Sequence, residues 1–164
     1  IAPHDPSPAH LDGLDAAATK WNLPAPARLR TVEGGAAPFV AVDRTGVLAA
    51  LYRCGAAAYV GGGFGTRGIH SVLEPAAAGA AVLIGPADRG SGDASMLERA
   101  GALIRLGESG AAEQLARRWG DWLSQPELLE SRGEAAREAL EGARGAAASS
   151  AERLAQLLDR RITG

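Results

Sequence analysis

Two short apolar runs, each closed by glycine, constrain the fold of this chain more than any other feature. The first is AAYV at Ala57–Val60, which three consecutive glycines follow; the second is AVLI at Ala81–Ile84, which Gly85 and Pro86 follow. An apolar run of this length that ends at a turn signal is typical of a strand buried on both faces. Such strands occur mainly in parallel sheets that helices cover on both sides.

Segments with helical spacing separate these runs and complete an α/β pattern. We predict further strands over 39–43 and 102–106, and helices over 11–21, 47–54, 71–78 and 95–100. Strand patterns disappear after residue 107, and apolar residues then recur at helical spacing, which predicts two or three helices packed on the sheet. The predicted fold class is therefore α/β: a Rossmann-like parallel sheet with helices on both faces and a helical C-terminal tail. We expect residues 1–164 to form a single domain, with 108–164 mainly helical.

Composition excludes several classes of function. The formal net charge is -2, which gives no reason to expect a nucleic-acid-binding surface. The single cysteine, Cys54, excludes an internal disulfide framework and a multi-cysteine metal site. The least polar stretch, residues 75–87, is too short and too interrupted by glycine to span a bilayer. We therefore expect the domain itself to be soluble and to hold no metal.

Residues 59–86 carry the features that indicate a ligand site. A predicted strand ends in Gly61-Gly62-Gly63, and an irregular loop then leads into a predicted helix. In parallel α/β sheets ligands bind beyond the carboxyl ends of the strands, where a helix N-terminus attracts phosphate and glycines allow close approach of the backbone. Arg67 adds a forked cationic donor, and the Glu74 carboxylate can accept hydrogen bonds from sugar hydroxyls. The segment therefore predicts a phosphate and ribose site.

Each of these features also has a purely structural interpretation. The glycines of residues 61–63 suit a tight strand-to-loop turn. Ser71 and Glu74 fit the S-x-x-E pattern of a capping box, in which the carboxylate serves only the start of the helix. Arg67 can be a solvated loop charge, and His70 can be a helix-entry residue without chemistry. Spacing alone leaves these alternatives open.

The same segment resembles the signature of Kdo transferases, GT-B enzymes that transfer 3-deoxy-D-manno-octulosonic acid (Kdo) from CMP-Kdo to lipid A precursors. In that family a strand is followed by two or three glycines, a short variable loop, the motif G-H-N-x-L-E-P, a helix of small residues and a strand that ends in Gly-Pro. The residues of this chain that match are Gly61, Gly62, Gly63, Gly68, His70, Leu73, Glu74, Pro75, Gly79, Gly85 and Pro86.

The first residues of the chain, IAPHDP, resemble the segment near the start of the family's donor-binding domain. Ile1-Ala2-Pro3 also has the character of a strand end whose beginning is absent, so we expect the chain to be a fragment. Three positions depart from the family pattern. His4 stands near a position where many members have arginine, Ser71 where asparagine is frequent, and Ile69 where glycine is frequent.

The resemblance implies that this chain is the C-terminal, donor-binding half of a GT-B glycosyltransferase, with CMP-Kdo as donor substrate and no cofactor. The donor-binding residues that it implies are His4, Gly62, Gly63, Arg67, Gly68, His70 and Glu74. His4 would meet the donor phosphate in place of the arginine. Asp88 and Asp93, in the loop after Gly85-Pro86, would either border the sugar or be solvated loop residues.

The rest of the reaction belongs, by the same resemblance, to an N-terminal acceptor domain that is absent from this chain. That domain supplies the carboxylate base, which removes a proton from the attacking acceptor hydroxyl, and the surface that meets the membrane. We therefore assign no catalytic residue here and expect the isolated domain to be inactive. The expected partners are the nucleotide sugar, the N-terminal domain and, through it, a lipid A precursor at the cytoplasmic face of the bacterial inner membrane. Two alternatives stay open: a GT-B donor domain for a UDP- or GDP-sugar, and a non-catalytic nucleotide-binding module.

Overall fold

The computed structural model describes the backbone of residues 1–32, 37–66 and 68–162, and the side chains of these residues except 146–148 and 157–162. The chain divides into two compact units, Ile1–Leu51 and Tyr52–Gly164. The assignment of residues 1–164 to a single domain stays a prediction.

The first unit pairs two short parallel strands beside a helix. Its elements are α1 (Pro8–Lys20), β1 (Ala27–Arg28) and β2 (Val40–Ala41), and α2 (Leu48–Tyr52) follows. On the side of β2 away from β1, the amino group of Ile1 donates to the Val40 carbonyl at 2.6 Å, and the Val42 amide donates to the Ile1 carbonyl at 2.9 Å. The first residue therefore forms two backbone hydrogen bonds with the β2 segment.

The second unit is a three-stranded parallel sheet in which each crossover between strands carries a helix. The strands follow one another in chain order across the sheet, so that Val60, Ile84 and Arg105 lie side by side at its carboxyl edge. Its elements are β3 (Ala57–Val60), α3 (Leu73–Ala77), β4 (Ala81–Ile84), α4 (Gly92–Arg99), β5 (Leu103–Arg105), α5 (Ala111–Ser124) and α6 (Pro126–Ile162).

The central strand β4 shows why both faces of this sheet are covered. All four of its residues are fully buried, and alternate side chains point to opposite faces. Val82 and Ile84 pack into one cluster, which also contains Ala76 of α3, Leu97 of α4 and Ala136 of α6. Ala81 and Leu83 pack into a second cluster, whose other members include Leu106, Leu115, Trp119, Trp122, Leu128 and Leu129. The predicted fold class, a parallel α/β sheet with helices on both faces, is therefore confirmed.

The C-terminal part forms two helices, within the predicted number. Trp122 of α5 is 2% exposed, and its ring centroid lies 6.2 Å from that of Trp119, so this aromatic pair closes one face of the sheet. The 37-residue helix α6 begins in the same cluster, through Leu128 and Leu129, and contributes Ala136 to the core of the opposite face. Within the described residues, no helix combines the length and the apolar character needed to cross a membrane.

Candidate functional site

The loops after β3 and β4 meet at the carboxyl edge of the sheet through direct backbone contact. A Cβ atom placed on Gly63 would lie 2.7 Å from the Gly85 Cα, and one placed on Gly85 would lie 2.6 Å from the Gly63 carbonyl carbon. The Gly63 carbonyl also accepts a hydrogen bond of 2.9 Å from the Ala87 amide. No side chain fits between the two loops, so both positions require glycine for close approach.

The loop after β3 then curls back over itself. Gly62 has φ +97° and Gly68 has φ +84°, which are left-handed conformations that favour glycine. A Cβ on Gly62 would collide with the Gly68 carbonyl oxygen, and the Gly65 amide donates to the Gly62 carbonyl at 3.2 Å. The structural interpretation is therefore correct for Gly62 and Gly63, because the positive φ of Gly62 and the contact of Gly63 with Gly85 require glycine. Their contact with a donor stays a prediction, and the loop leaves Gly62 exposed for it.

The chain returns from this loop with alternating buried and exposed side chains. Ile69 packs against the core and Val72 is 2% exposed, whereas His70 and Ser71 point to solvent. Ile69, which stands where the Kdo transferase pattern often has glycine, thus anchors the loop to the core. The His70 side chain is exposed, and its backbone amide donates a hydrogen bond of 3.4 Å to the Gly61 carbonyl.

The capping-box interpretation of Ser71 and Glu74 is wrong. Helix α3 begins at Leu73, its N-cap is Val72, and no side chain caps it. It spans five residues instead of the predicted 71–78, because the cap fails at Ser71 and the helix ends before Gly79, whose φ is +81°. So short a helix contributes little macrodipole, which weakens the predicted role of its N-terminus in phosphate binding.

The Glu74 carboxylate does not cap helix α3. The side chain of Glu74 is exposed, and it makes no hydrogen bond or ion pair with any described residue. The pKa of Tyr52, the last residue of α2, is raised mainly by burial and to a smaller extent by the negative charge of Glu74. No residue in the described part of the chain competes with a ligand for this carboxylate. Tyr52, a neighbour that the sequence did not single out, lies within its electrostatic reach.

The loop after β4 is held by a carboxylate that the sequence left without a definite role. Asp88 accepts hydrogen bonds from the Gly90 amide at 2.9 Å and from the Arg105 guanidinium at 2.8 Å. These two contacts, in that order, lower the pKa of the Asp88 carboxyl. Arg105 also donates to Glu98 at 3.0 Å and to the Pro86 carbonyl at 3.3 Å. Asp88 is therefore a structural anchor of the loop. Asp93 is exposed in the first turn of α4.

Arg89, next to that anchor, crosses the glycine loop. A Cβ on Gly68 would lie 2.9 Å from the Arg89 Cδ and 3.2 Å from its Cγ, so the absence of a side chain at Gly68 makes room for this arginine. Arg89 was not predicted from the sequence, because nothing in the spacing of residues shows that the loops after β3 and β4 touch.

The two remaining predicted residues are His4 and Arg67. His4 belongs to the first unit, at the bend before α1, with its side chain exposed. Arg67 lies outside the described residues. The donor-binding roles of both stay predictions. Within the described part of the chain, no group of three or more histidine, cysteine, aspartate or glutamate residues is placed to hold a metal ion.

A charged cavity of about 420 Å³ lies at the opposite edge of the same sheet, where β3 and β4 begin. Its lining includes Arg53, Cys54, Glu130, Glu134 and Arg137. The cavity lies at the amino ends of the strands. Ligands of parallel α/β sheets bind at the carboxyl ends, so we take the glycine loop as the candidate site.

No protein-family model and no curated protein sequence matches this chain. Among solved structures, it is similar to the C-terminal CMP-Kdo binding domain of WaaA from Acinetobacter baumannii. The TM-score is 0.68 and the sequence identity 21%, and the match covers 82% of this chain and 69% of that chain. The resemblance to Kdo transferases that the glycine segment indicates is thus confirmed at the level of structure. This chain has the fold of a CMP-Kdo binding domain.

Proposed function

We propose that this chain binds CMP-Kdo and forms the donor half of a Kdo transferase. The observation that carries the proposal is the position of the family's glycine segment within the matching fold. Gly63 of that segment meets Gly85 at the carboxyl edge of a sheet whose fold is that of a CMP-Kdo binding domain, and Gly62 and Gly68 pack beside this contact. Sequence pattern and structure thus agree on one edge of the molecule, which is where such sheets bind ligands.

Different residues of the loop bind different parts of the nucleotide sugar. The exposed backbone at Gly62, together with Gly63 and Gly68, allows close approach of a phosphate or of the Kdo moiety. Glu74 accepts hydrogen bonds from the ribose hydroxyls, a role supported by its exposed carboxylate without a protein partner among the described residues. Arg67 and His70 donate to the phosphate or the sugar.

The remaining steps of the proposed reaction require the N-terminal acceptor domain. In the proposed mechanism, a hydroxyl of the lipid A precursor attacks the anomeric carbon of Kdo, and a carboxylate base of that domain removes the proton. The bond to CMP breaks, and its phosphate keeps the electron pair while basic side chains, His4 among them, stabilise the charge. The complete enzyme would work at the cytoplasmic face of the bacterial inner membrane without a metal ion.

A calorimetric titration of the chain with CMP, UMP and GMP tests the donor assignment. We expect saturable binding of CMP and weaker binding of UMP and GMP, because cytosine presents a different hydrogen-bonding edge from uracil or guanine. Glu74→Ala should weaken CMP binding by about tenfold or more, since a hydrogen bond to a charged group contributes about 1.5–3 kcal/mol. Glu138→Ala, which removes an exposed carboxylate from the distant α6, is the matched control.

The other outcomes point to the alternatives. Preference for UMP or GMP would keep the donor-domain fold and replace the donor by a UDP- or GDP-sugar. Folded protein that binds none of the three nucleotides would contradict the proposal and favour a non-catalytic role. Equal loss of CMP affinity in Glu74→Ala and Glu138→Ala would refute the ribose-binding role of Glu74.

A further inference from the structure

The side chain of Arg89 lies against Gly68 of the glycine loop. The residue follows β4 in the chain, yet its Cγ, Cδ and Nε atoms lie 3.2, 2.9 and 3.5 Å from the point where a Gly68 Cβ would be. Gly68 in turn packs against Gly62, the exposed glycine of the loop after β3. The guanidinium of a loop that follows one strand is thus brought to the glycine loop that follows its neighbour.

The backbone at Arg89 is held in a conformation that arginine rarely adopts. Its φ is +55°, in the left-handed region where a side chain costs free energy, and Gly90 follows with φ +73°. The anchor is Asp88, which accepts hydrogen bonds from the Gly90 amide and from Arg105. Non-glycine residues in such conformations persist where the surroundings enforce them, and they cluster at ligand sites.

Within the described part of the chain, no residue forms an ion pair with Arg89. The carboxylate beside it, Asp88, is already neutralised by Arg105 at 2.8 Å. The Arg89 side chain is exposed, and it forms no hydrogen bond or ion pair with any of the residues that the structure describes. An exposed guanidinium beside a glycine loop suits an anion, because its planar fork matches two phosphate oxygens.

We propose that Arg89 binds the phosphate of the donor nucleotide and closes the glycine loop over it. The inference rests on the proposed function and adds a residue that neither the motif nor the resemblance identified. The proposed role of Arg89 is binding rather than acid or base catalysis, since it acts only by charge and hydrogen bonds.

Titrations with CMP and with cytidine, followed by amide chemical shifts so that millimolar dissociation constants can be measured, test this role. Arg89→Asn removes the cation and keeps a residue that tolerates the left-handed backbone. We expect it to weaken CMP binding by about tenfold or more and to leave cytidine binding unchanged, because cytidine lacks the phosphate. Arg89→Lys keeps the charge and loses the forked guanidinium, so its affinity for CMP should lie between those of the wild type and Arg89→Asn. Arg99→Gln, an equal change of net charge at the end of α4, should bind CMP like the wild type.

The titrations distinguish a wrong role for Arg89 from a wrong proposed function. If the wild type binds CMP and Arg89→Asn binds it equally well, the role of Arg89 is refuted while the proposed function stands. Equal weakening of CMP and cytidine would also refute it, because the residue would then act on the loop rather than on phosphate. A wild type that binds neither ligand would overturn the proposed function and this inference together. Should Arg89→Asn fail to fold, Arg89→Gly, which accepts the same φ without strain, gives the same test.

Discussion

Replacing Gly63 by alanine tests the close approach of the two loops on which the candidate site depends. The new Cβ would lie 2.7 Å from both the Cα and the amide nitrogen of Gly85 and 2.9 Å from its carbonyl carbon. Carbon atoms pack best at about 3.5–4.0 Å, so the loops must separate by roughly 1 Å. Only backbone atoms stand in the way, and they cannot move aside as a flexible side chain would.

Two costs follow from this separation. Overpacking a close contact destabilises proteins by about 1–3 kcal/mol. The hydrogen bond from the Ala87 amide to the Gly63 carbonyl, 2.9 Å long, would stretch or break, at a cost of about 1 kcal/mol. We therefore expect Gly63→Ala to lower the free energy of unfolding by about 2–4 kcal/mol. In a chain of this length that corresponds to a fall in Tm of roughly 5–15 °C.

Gly61→Ala is the matched control, because the same methyl group added two residues earlier meets no atom within 4 Å. We expect it to change the free energy of unfolding by less than about 1 kcal/mol, in the stabilising direction, through reduced freedom of the unfolded chain. Urea unfolding followed by tryptophan fluorescence reports mainly on the second unit, because Trp122 is 2% exposed and Trp21 is 69% exposed. Equal stability of the two alanine variants would refute the packing that we describe.

Two further predictions concern titratable groups. The pKa of Asp88 is lowered from its ordinary 3.8, so the contribution of this carboxylate to stability is complete above that pH and is lost as the pH falls through the folded-state pKa. At neutral pH, urea unfolding should show Asp88→Asn to be less stable than the wild type by about 1 kcal/mol or more. This difference in the free energy of unfolding should shrink below pH 3.8. A constant difference would exclude the ion pair with Arg105 as its origin. Glu74→Gln should lower the pKa of Tyr52 toward 10.0, measured by tyrosinate absorbance, and leave Tyr59 unchanged, because burial alone raises the pKa of Tyr59. Identical titration curves for wild type and variant would contradict the proximity of Glu74 to Tyr52.

The fold was predictable where one physical signal dominated. The bounds of β3 and β4 match the prediction, because an unbroken apolar run between glycines has few ways to be buried other than as a central strand. Helix α3 was less predictable, since Ser71 and Glu74 carry a capping pattern that the structure does not use. There the burial of Val72 and Ile69 in the core fixes the chain more strongly than a cap, and it turns Ser71 outward.

The candidate site was predictable only in its local part. Glycines at 61–63 and the carboxylate of Glu74 lie within one continuous segment, so their sequence pattern indicated a site. The contacts of Gly63 with Gly85 and of Gly68 with Arg89 join two loops, and they exist only because β3 and β4 pair in register. No local pattern encodes such a contact, which explains why Arg89 was missed.

A crystal structure of the chain with CMP tests most directly whether the nucleotide binds at the glycine loop, because it locates the nucleotide. We predict that the phosphate lies against the backbone between Gly62 and Gly68, within reach of the Arg89 guanidinium. The ribose hydroxyls should lie at the Glu74 carboxylate. CMP bound in the charged cavity at the opposite edge of the sheet, or a glycine loop that stays empty at saturating CMP, would contradict it.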